Sequence, residues 1–134
     1  MGSERLTLDV GADQCVSALL DRPTHARALF VLAHGAGAGM EHPSMQTVVS
    51  GLAERGIATL RYQFPYREKR SRRPDPPALC HATVRAAVAQ AARLAPDLPL
   101  IAGGRSFGGR MTSQAQAQAA LPGVGGLVFL AFPL

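Results

Sequence analysis

Residues 100–110 read LIAGGRSFGGR, an apolar run that passes into Gly-Arg-Ser-Phe-Gly and then into a segment rich in Ala and Gln. The apolar run is typical of a buried strand, and the segment after it is typical of a helix. Gly104 and Gly108 stand two positions before and after Ser106. A sharp strand-to-helix turn closes only where those two positions carry almost no side chain. The stretch therefore predicts a tight turn that lifts the Ser106 hydroxyl above the end of a sheet.

The rest of the chain predicts the sheet to which this turn belongs. Alternating apolar residues predict an opening hairpin, with strands at 5–10 and 16–20, and continuous apolar runs predict buried strands at 28–33, 57–62 and 126–132. Helices are predicted from Pro43 to Gly56, over 78–95 and from the turn to about Ala120, and prolines break 63–77 into a loop. Strand and helix alternate three times after the hairpin. The predicted fold class is therefore α/β, a doubly wound and mostly parallel sheet in one domain over residues 1–134.

Composition narrows the classes of function. The 134 residues are 47% hydrophobic and 17% charged, which is typical of a globular domain with a core. Of the net charge of +5, residues 67–75 hold +3, from five bases and two acids, so we expect no nucleic-acid-binding face. No apolar run is long enough to span a bilayer, and the first residues do not resemble a signal peptide. These features predict a cytoplasmic protein without membrane contact.

The two cysteines, Cys15 and Cys80, lie far apart and show no spacing typical of metal ligands. We expect both to be small buried apolar residues, without a disulfide or a metal. The isolated histidines His25, His42 and His81 are predicted to be surface or packing residues. The sequence predicts no cofactor.

A glycine-rich loop, HGAG at 34–37, lies between a predicted strand and a predicted helix, where ligands bind in open α/β sheets. Such a loop either lends a backbone N–H to an oxyanion hole, with the N–H of Phe107 as the second donor, or cradles a phosphate. The spacing disfavours the phosphate, because the third glycine of a dinucleotide-binding loop falls on Met40. Arg61, at the end of the next strand, keeps nucleotide binding open as an alternative. The glycines also fit a tight turn without any ligand.

The loop at 63–77 is the most basic part of the chain. Tyr62, Phe64 and Tyr66 stand beside its arginines, a mixture that suits an acidic or aromatic substrate. The same composition is typical of a solvated loop.

Four stretches together resemble the α/β-hydrolase superfamily: HGAGAGM at 34–40 followed by His42-Pro43, LRYQFPY at 60–66, GGRSFGGR at 103–110 and GLVFLAFPL at 126–134. Within it, the chain is similar to small dienelactone-hydrolase-like members and to the hydrolase-like domain of the NSL chromatin-complex regulatory subunit and testis-expressed proteins. The resemblance implies a small ester or thioester as substrate, Ser106 as nucleophile, and N–H groups near Ala36 and Phe107 as oxyanion donors. The residues predicted to line the substrate site are His34, Gly35, Gly37, Arg105 and Tyr66.

The chain departs from this superfamily after the nucleophile. There the acid and then the histidine follow the serine on later strands, yet no Asp, Glu or His occurs after Ser106. We therefore expect a fold that is incomplete at its C-terminus, either truncated or completed by another chain, with weak or no activity. A non-catalytic hydrolase-like module that binds a protein is the alternative. The apolar strand near Leu134 is expected to leave an open sheet edge that pairs with a second copy or a complementing chain.

Overall fold

The computed structural model describes residues 2–11 and 13–131. Within these ranges the strands are β1 (Glu4–Gly11), β2 (Gln14–Asp21), β3 (Ala28–Ala33), β4 (Ile57–Tyr62), β5 (Leu100–Arg105) and β6 (Val124–Leu130). The helices are α1 (Pro43–Glu54), α2 (Pro65–Glu68), α3 (Pro77–Leu94) and α4 (Phe107–Gln118). No helix of the described part is long and apolar enough to cross a membrane.

The strands form one sheet in the order β1-β2-β4-β3-β5-β6. The opening hairpin joins it through antiparallel pairs of β2 with β1 and with β4. The pairs β4 with β3, β3 with β5 and β5 with β6 are all parallel. The predicted fold class, a mostly parallel α/β sheet, is confirmed. Parallel strands end at the same edge of a sheet, so the loops after β3, β4 and β5 meet there.

Helices cover both faces of the sheet, which explains the continuous apolar runs. On β3, Leu29 and Val31 belong to the core cluster that also contains the buried residues of α3 and α4. Phe30 and Leu32 pack with Met45 and Val49 of α1 on the opposite face. A strand covered on both faces, such as β3, reads as a continuous apolar run because neither face meets water.

Two burial predictions are wrong. Strand β6 was expected to be buried, but it lies at the end of the sheet in the described part, and Val128 is 37% exposed. The predicted end of this strand at Phe132, with Pro133 and Leu134, lies outside the described residues. Cys15 is exposed and only Cys80 is buried, because alternate side chains of β2 point away from the core; both thiols are free.

Candidate active site

Ser106 connects β5 to α4 through the sharp turn that the sequence predicts. Its backbone has φ 49° and ψ −108°, in the left-handed half of the Ramachandran map that non-glycine residues rarely occupy. The Ser106 N–H donates to the carbonyl of Leu130 at 2.9 Å, and the Ser106 carbonyl accepts from the N–H of Arg110 at 3.0 Å. The turn is thus held by β6 on one side and by the first turn of α4 on the other.

The two flanking glycines permit the close approach of the turn to β3. A Cβ atom on Gly104 would lie 2.5 Å from the carbonyl oxygen of Ala33. A Cβ atom on Gly108 would lie 2.7 Å from the Cβ of Ala33 and would also collide with the carbonyl of His34. Real Cβ atoms do not approach this closely, so both positions require glycine.

The Ser106 side chain is half-buried, and no group in 2–11 or 13–131 forms a hydrogen bond with its hydroxyl. A serine hydroxyl without a neighbouring base is a weak nucleophile at neutral pH. The described residues also hold no group of three or more His, Cys, Asp or Glu side chains that would bind a metal ion. Within the described residues, the turn thus leaves the hydroxyl without a hydrogen-bonded base.

The glycine-rich loop lies directly beside this turn. Ala33 pairs with Gly104, so the residues that follow each of them are neighbours, and a Cβ on Gly35 would be 3.6 Å from the carbonyl oxygen of Arg105. Ala36 and Gly37 are exposed at the tip of the loop. Within the described chain, no acceptor takes a hydrogen bond from the N–H groups of Ala36, Gly37 or Phe107. Free N–H groups at one edge of the sheet are suited to stabilising a developing negative charge.

His34 is a buried support for this loop. It is 0% exposed; its Nε2 accepts from the N–H of Phe64 at 3.0 Å, so Nδ1 carries the proton and donates to the carbonyl of Gly35 at 2.7 Å. Burial lowers the pKa of His34 to about 4, and the Arg67 charge acts in the same direction. Both ring nitrogens are hydrogen-bonded inside the protein, so His34 holds the loop in place, and its predicted place in a substrate site stays a prediction.

Tyr66 has a similar position on α2, a helix that the sequence did not predict. It is 2% exposed, and its hydroxyl donates to the carbonyl of Ala36 at 2.9 Å. Its ring packs edge-on against Phe107, with 6.2 Å between the ring centroids. The Asp75 carboxylate accepts from the Tyr66 N–H at 2.9 Å and so fixes the start of α2. Tyr66 therefore contacts both the loop and the residue after Ser106 from a buried position, and its predicted contact with a substrate stays a prediction.

The far end of the loop is attached to β4 and the residue that follows it. The Met40 N–H donates to Gln63 Oε1 at 2.9 Å, and the Met40 carbonyl accepts from Arg61 at 3.2 Å. Arg61 is 1% exposed and forms an ion pair with Asp21 at 3.2 Å. It is not available for a phosphate, which removes the residue on which the nucleotide-binding alternative depended. The role of Gln63 was missed, although the motif at 60–66 contains it.

Two further residues that were predicted for the substrate site lie beside the turn and on the loop. Arg105 is half-buried directly before Ser106, and Gly37 is exposed. In the basic segment Glu68 accepts from both the N–H and the hydroxyl of Ser17, at 2.8 and 3.0 Å, which ties α2 to β2. Most bases of that segment are exposed, as the interpretation as a solvated loop predicts: Lys69, Arg70, Arg72 and Arg73.

Comparisons with known proteins agree with this architecture. A dienelactone hydrolase from Anabaena variabilis is 21% identical, with a TM-score of 0.81 over 95% of this chain and 62% of its own. An alpha-beta serine hydrolase homologue from Coxiella burnetii is 20% identical, with a TM-score of 0.80 over 99% of this chain and 64% of its own. Est1E from Butyrivibrio proteoclasticus is 22% identical, with a TM-score of 0.76 over 95% of this chain and 49% of its own.

At these identities the likeness shows the fold, and the chain spans less than two thirds of the length of each of these structures. No curated protein matches the sequence. The alpha/beta hydrolase domain family matches residues 26–134, which include the glycine-rich loop, the basic segment and the turn at Ser106. The chain therefore belongs to the alpha/beta hydrolase domain family.

Proposed function

We propose that the chain carries the nucleophile and the oxyanion-binding half of a serine hydrolase that cleaves a small ester or thioester. The Ser106 hydroxyl attacks the carbonyl carbon and loses its proton to a base, and the N–H groups of Phe107 and Ala36 donate to the oxygen that becomes negative. The C–O or C–S bond of the substrate then breaks, the alcohol or thiol leaves with a proton, and water hydrolyses the acyl-serine to release the acid. The observation that carries the proposal is the strained turn at Ser106, with φ 49°, beside a loop in which the N–H groups of Ala36 and Gly37 have no acceptor in the described part. The fold is shared with a dienelactone hydrolase and with Est1E, which has been solved with ferulic acid bound.

The substrate approaches the loop at Gly37, which is exposed and carries no side chain to block it, with the buried Gly35 beneath the tip and the half-buried Arg105 contributing from the end of β5. His34 and Tyr66 act through the loop that they hold. We also propose a closer relationship to the hydrolase-like domain of the NSL-complex regulatory subunit and testis-expressed proteins. This relationship depends on the sequence at 34–43, 60–66, 103–110 and 126–134.

We expect weak activity from these 134 residues alone. Residues 107–134 contain no Asp, Glu or His, so the acid and the base of a triad lie outside this sequence or on a second chain. Without the acid and the base, the Ser106 hydroxyl keeps its proton. The oxyanion donors and the orientation of the serine remain, and they preserve only a small part of the catalytic rate.

Labelling with a fluorophosphonate probe tests the assignment. We expect slow, stoichiometric labelling of the wild type, none of Ser106→Ala, and unchanged labelling of Ser113→Ala, a matched change on α4. Peptide mapping by mass spectrometry locates the adduct. Equal labelling of wild type and Ser106→Ala, or no labelling of either, would overturn the proposal.

A non-catalytic interaction module is the second candidate. It is favoured by the place of β6 at the end of the sheet in the described part, where Val128 is 37% exposed, and by the lack of Asp, Glu and His in residues 107–134. A strand at the end of a sheet can pair with another strand, either from a second copy or from a complementing chain. This candidate predicts no labelling of Ser106 and a molar mass that rises with concentration in light scattering. Val128→Lys would lower that mass, whereas Gln118→Lys on α4 would not. A monomer that turns over esters contradicts it.

A further inference from the structure

Two consecutive carbonyl groups of the glycine-rich loop are fixed by buried rings. His34 Nδ1 donates to the Gly35 carbonyl at 2.7 Å, and the Tyr66 hydroxyl donates to the Ala36 carbonyl at 2.9 Å. The two rings belong to residues that are 0% and 2% exposed, whereas Ala36 and Gly37 are exposed. The carbonyls of the loop therefore point inward.

This orientation determines where the N–H groups point. In a planar trans peptide the carbonyl and the N–H of the next residue point to opposite sides. Because the Gly35 carbonyl points to His34, the N–H of Ala36 points away from that ring. Because the Ala36 carbonyl points to Tyr66, the N–H of Gly37 points away from the Tyr66 ring, toward the open side of the loop.

The peptide between Ala36 and Gly37 needs such an external anchor. A peptide flip changes ψ of the first residue and φ of the second, and glycine at the second position accepts either sign of φ. A Cβ at Gly37 would touch nothing within 4 Å, so Gly37 itself is not held by packing on that side. The hydroxyl of Tyr66 is the side-chain group that holds this carbonyl in the described structure.

We infer that Tyr66 is a positioning residue for the oxyanion site, and that the N–H of Gly37 is a third oxyanion donor beside those of Ala36 and Phe107. The inference deepens the proposed function and depends on it. The Tyr66 ring also packs against Phe107, so one side chain sets the loop and the serine turn at a fixed separation. A tyrosine needed only for packing would be replaced by phenylalanine without effect on reactivity.

The kinetic test compares Tyr66→Phe with Tyr62→Phe. Tyr62 belongs to the same aromatic cluster, with its ring 5.6 Å from that of Phe64, but in the described part the loop carbonyl of Ala36 is bonded by the hydroxyl of Tyr66 and not by that of Tyr62. Removing one oxyanion donor lowers the rate about 100-fold or more. A donor that is still present but misoriented for part of the time lowers the rate less. We expect the second-order rate of fluorophosphonate labelling at Ser106 to fall about 10-fold in Tyr66→Phe and to change less than about twofold in Tyr62→Phe. Gly37→Pro removes the N–H itself. Its labelling rate is expected to fall at least as far as that of Tyr66→Phe.

A second readout does not depend on Ser106. In a ¹⁵N-labelled protein, Tyr66→Phe is expected to shift or broaden the Gly37 amide resonance and to leave distant amides on β1 unchanged. If Ser106 is not labelled in the wild type, the proposed function fails and the donor assignment fails with it, while this resonance alone decides whether Tyr66 holds the peptide. A wild-type labelling rate in Tyr66→Phe overturns the inference, and so does a Gly37 resonance that does not change.

Discussion

Gly104 on β5 lies so close to Ala33 on β3 that a Cβ atom on Gly104 would be 2.5 Å from the Ala33 carbonyl oxygen and 2.8 Å from its Cβ. Gly104→Ala must therefore push the two strands apart or distort the turn. We expect the free energy of unfolding to fall by about 2 kcal/mol, because overpacking a well-packed interior typically costs this much. Urea denaturation measures it. Gly126→Ala, where a Cβ would meet nothing within 4 Å, is the control, and equal losses in both variants would contradict the argument.

The strained backbone at Ser106 predicts that a glycine at this position is more stable than an alanine. With φ 49°, its backbone occupies a conformation that costs a non-glycine residue on the order of 1–3 kcal/mol. Ser106→Gly relieves the strain while Ser106→Ala keeps it, and both remove the hydroxyl. After the entropy cost of a glycine, we expect Ser106→Gly to be about 1 kcal/mol more stable than Ser106→Ala in urea denaturation. A less stable glycine variant would show that the turn is not strained.

The fold and the turn were predictable because their signals are local. A strand covered on both faces, such as β3, shows as an unbroken apolar run, and the serine turn shows as two glycines at fixed spacing. The burial of β6 was not predictable in the same way. Its apolar run has the composition of a buried inner strand, although the sequence also indicated a sheet edge near Leu134, and it is the place of β6 at the end of the strand order that leaves its residues exposed.

The support of the site was not predictable, because its contacts join distant parts of the chain. His34 receives its hydrogen bond from Phe64, 30 residues away, and Ala36 is bonded by Tyr66, also 30 residues away. Helix α2 has four residues and stands among prolines, so periodicity cannot reveal it. Composition placed Tyr66 near a substrate, whereas its burial makes it part of the scaffold.

The buried ion pair between Asp21 and Arg61 predicts that neutralising Asp21 lowers the free energy of unfolding strongly. Their side chains are 10% and 2% exposed, and Arg61 also bonds the Met40 carbonyl. Asp21→Asn leaves the guanidinium charge buried without a counterion, which is expected to cost about 3 kcal/mol. Glu41→Gln breaks the exposed pair of Glu41 with Arg5 and should cost less than about 1 kcal/mol. Similar costs for the two variants in urea denaturation would show that Arg61 is solvated.

The buried imidazole of His34 predicts how stability depends on pH. Burial lowers its pKa from 6.5 in the unfolded chain to about 4 in the folded protein, so between these values the unfolded state binds more protons. The free energy of unfolding should therefore rise with pH from about 4 to 6.5 and then level off, and His34 should account for about 3 kcal/mol of the rise. His34→Gln should be less stable at pH 7 but show a flatter profile over this range, since the carboxylates titrate alike in both proteins. Parallel profiles of wild type and His34→Gln in urea denaturation at pH 4.5, 5.5, 6.5 and 7.5 would mean that His34 is protonated as easily in the folded protein as in the unfolded chain.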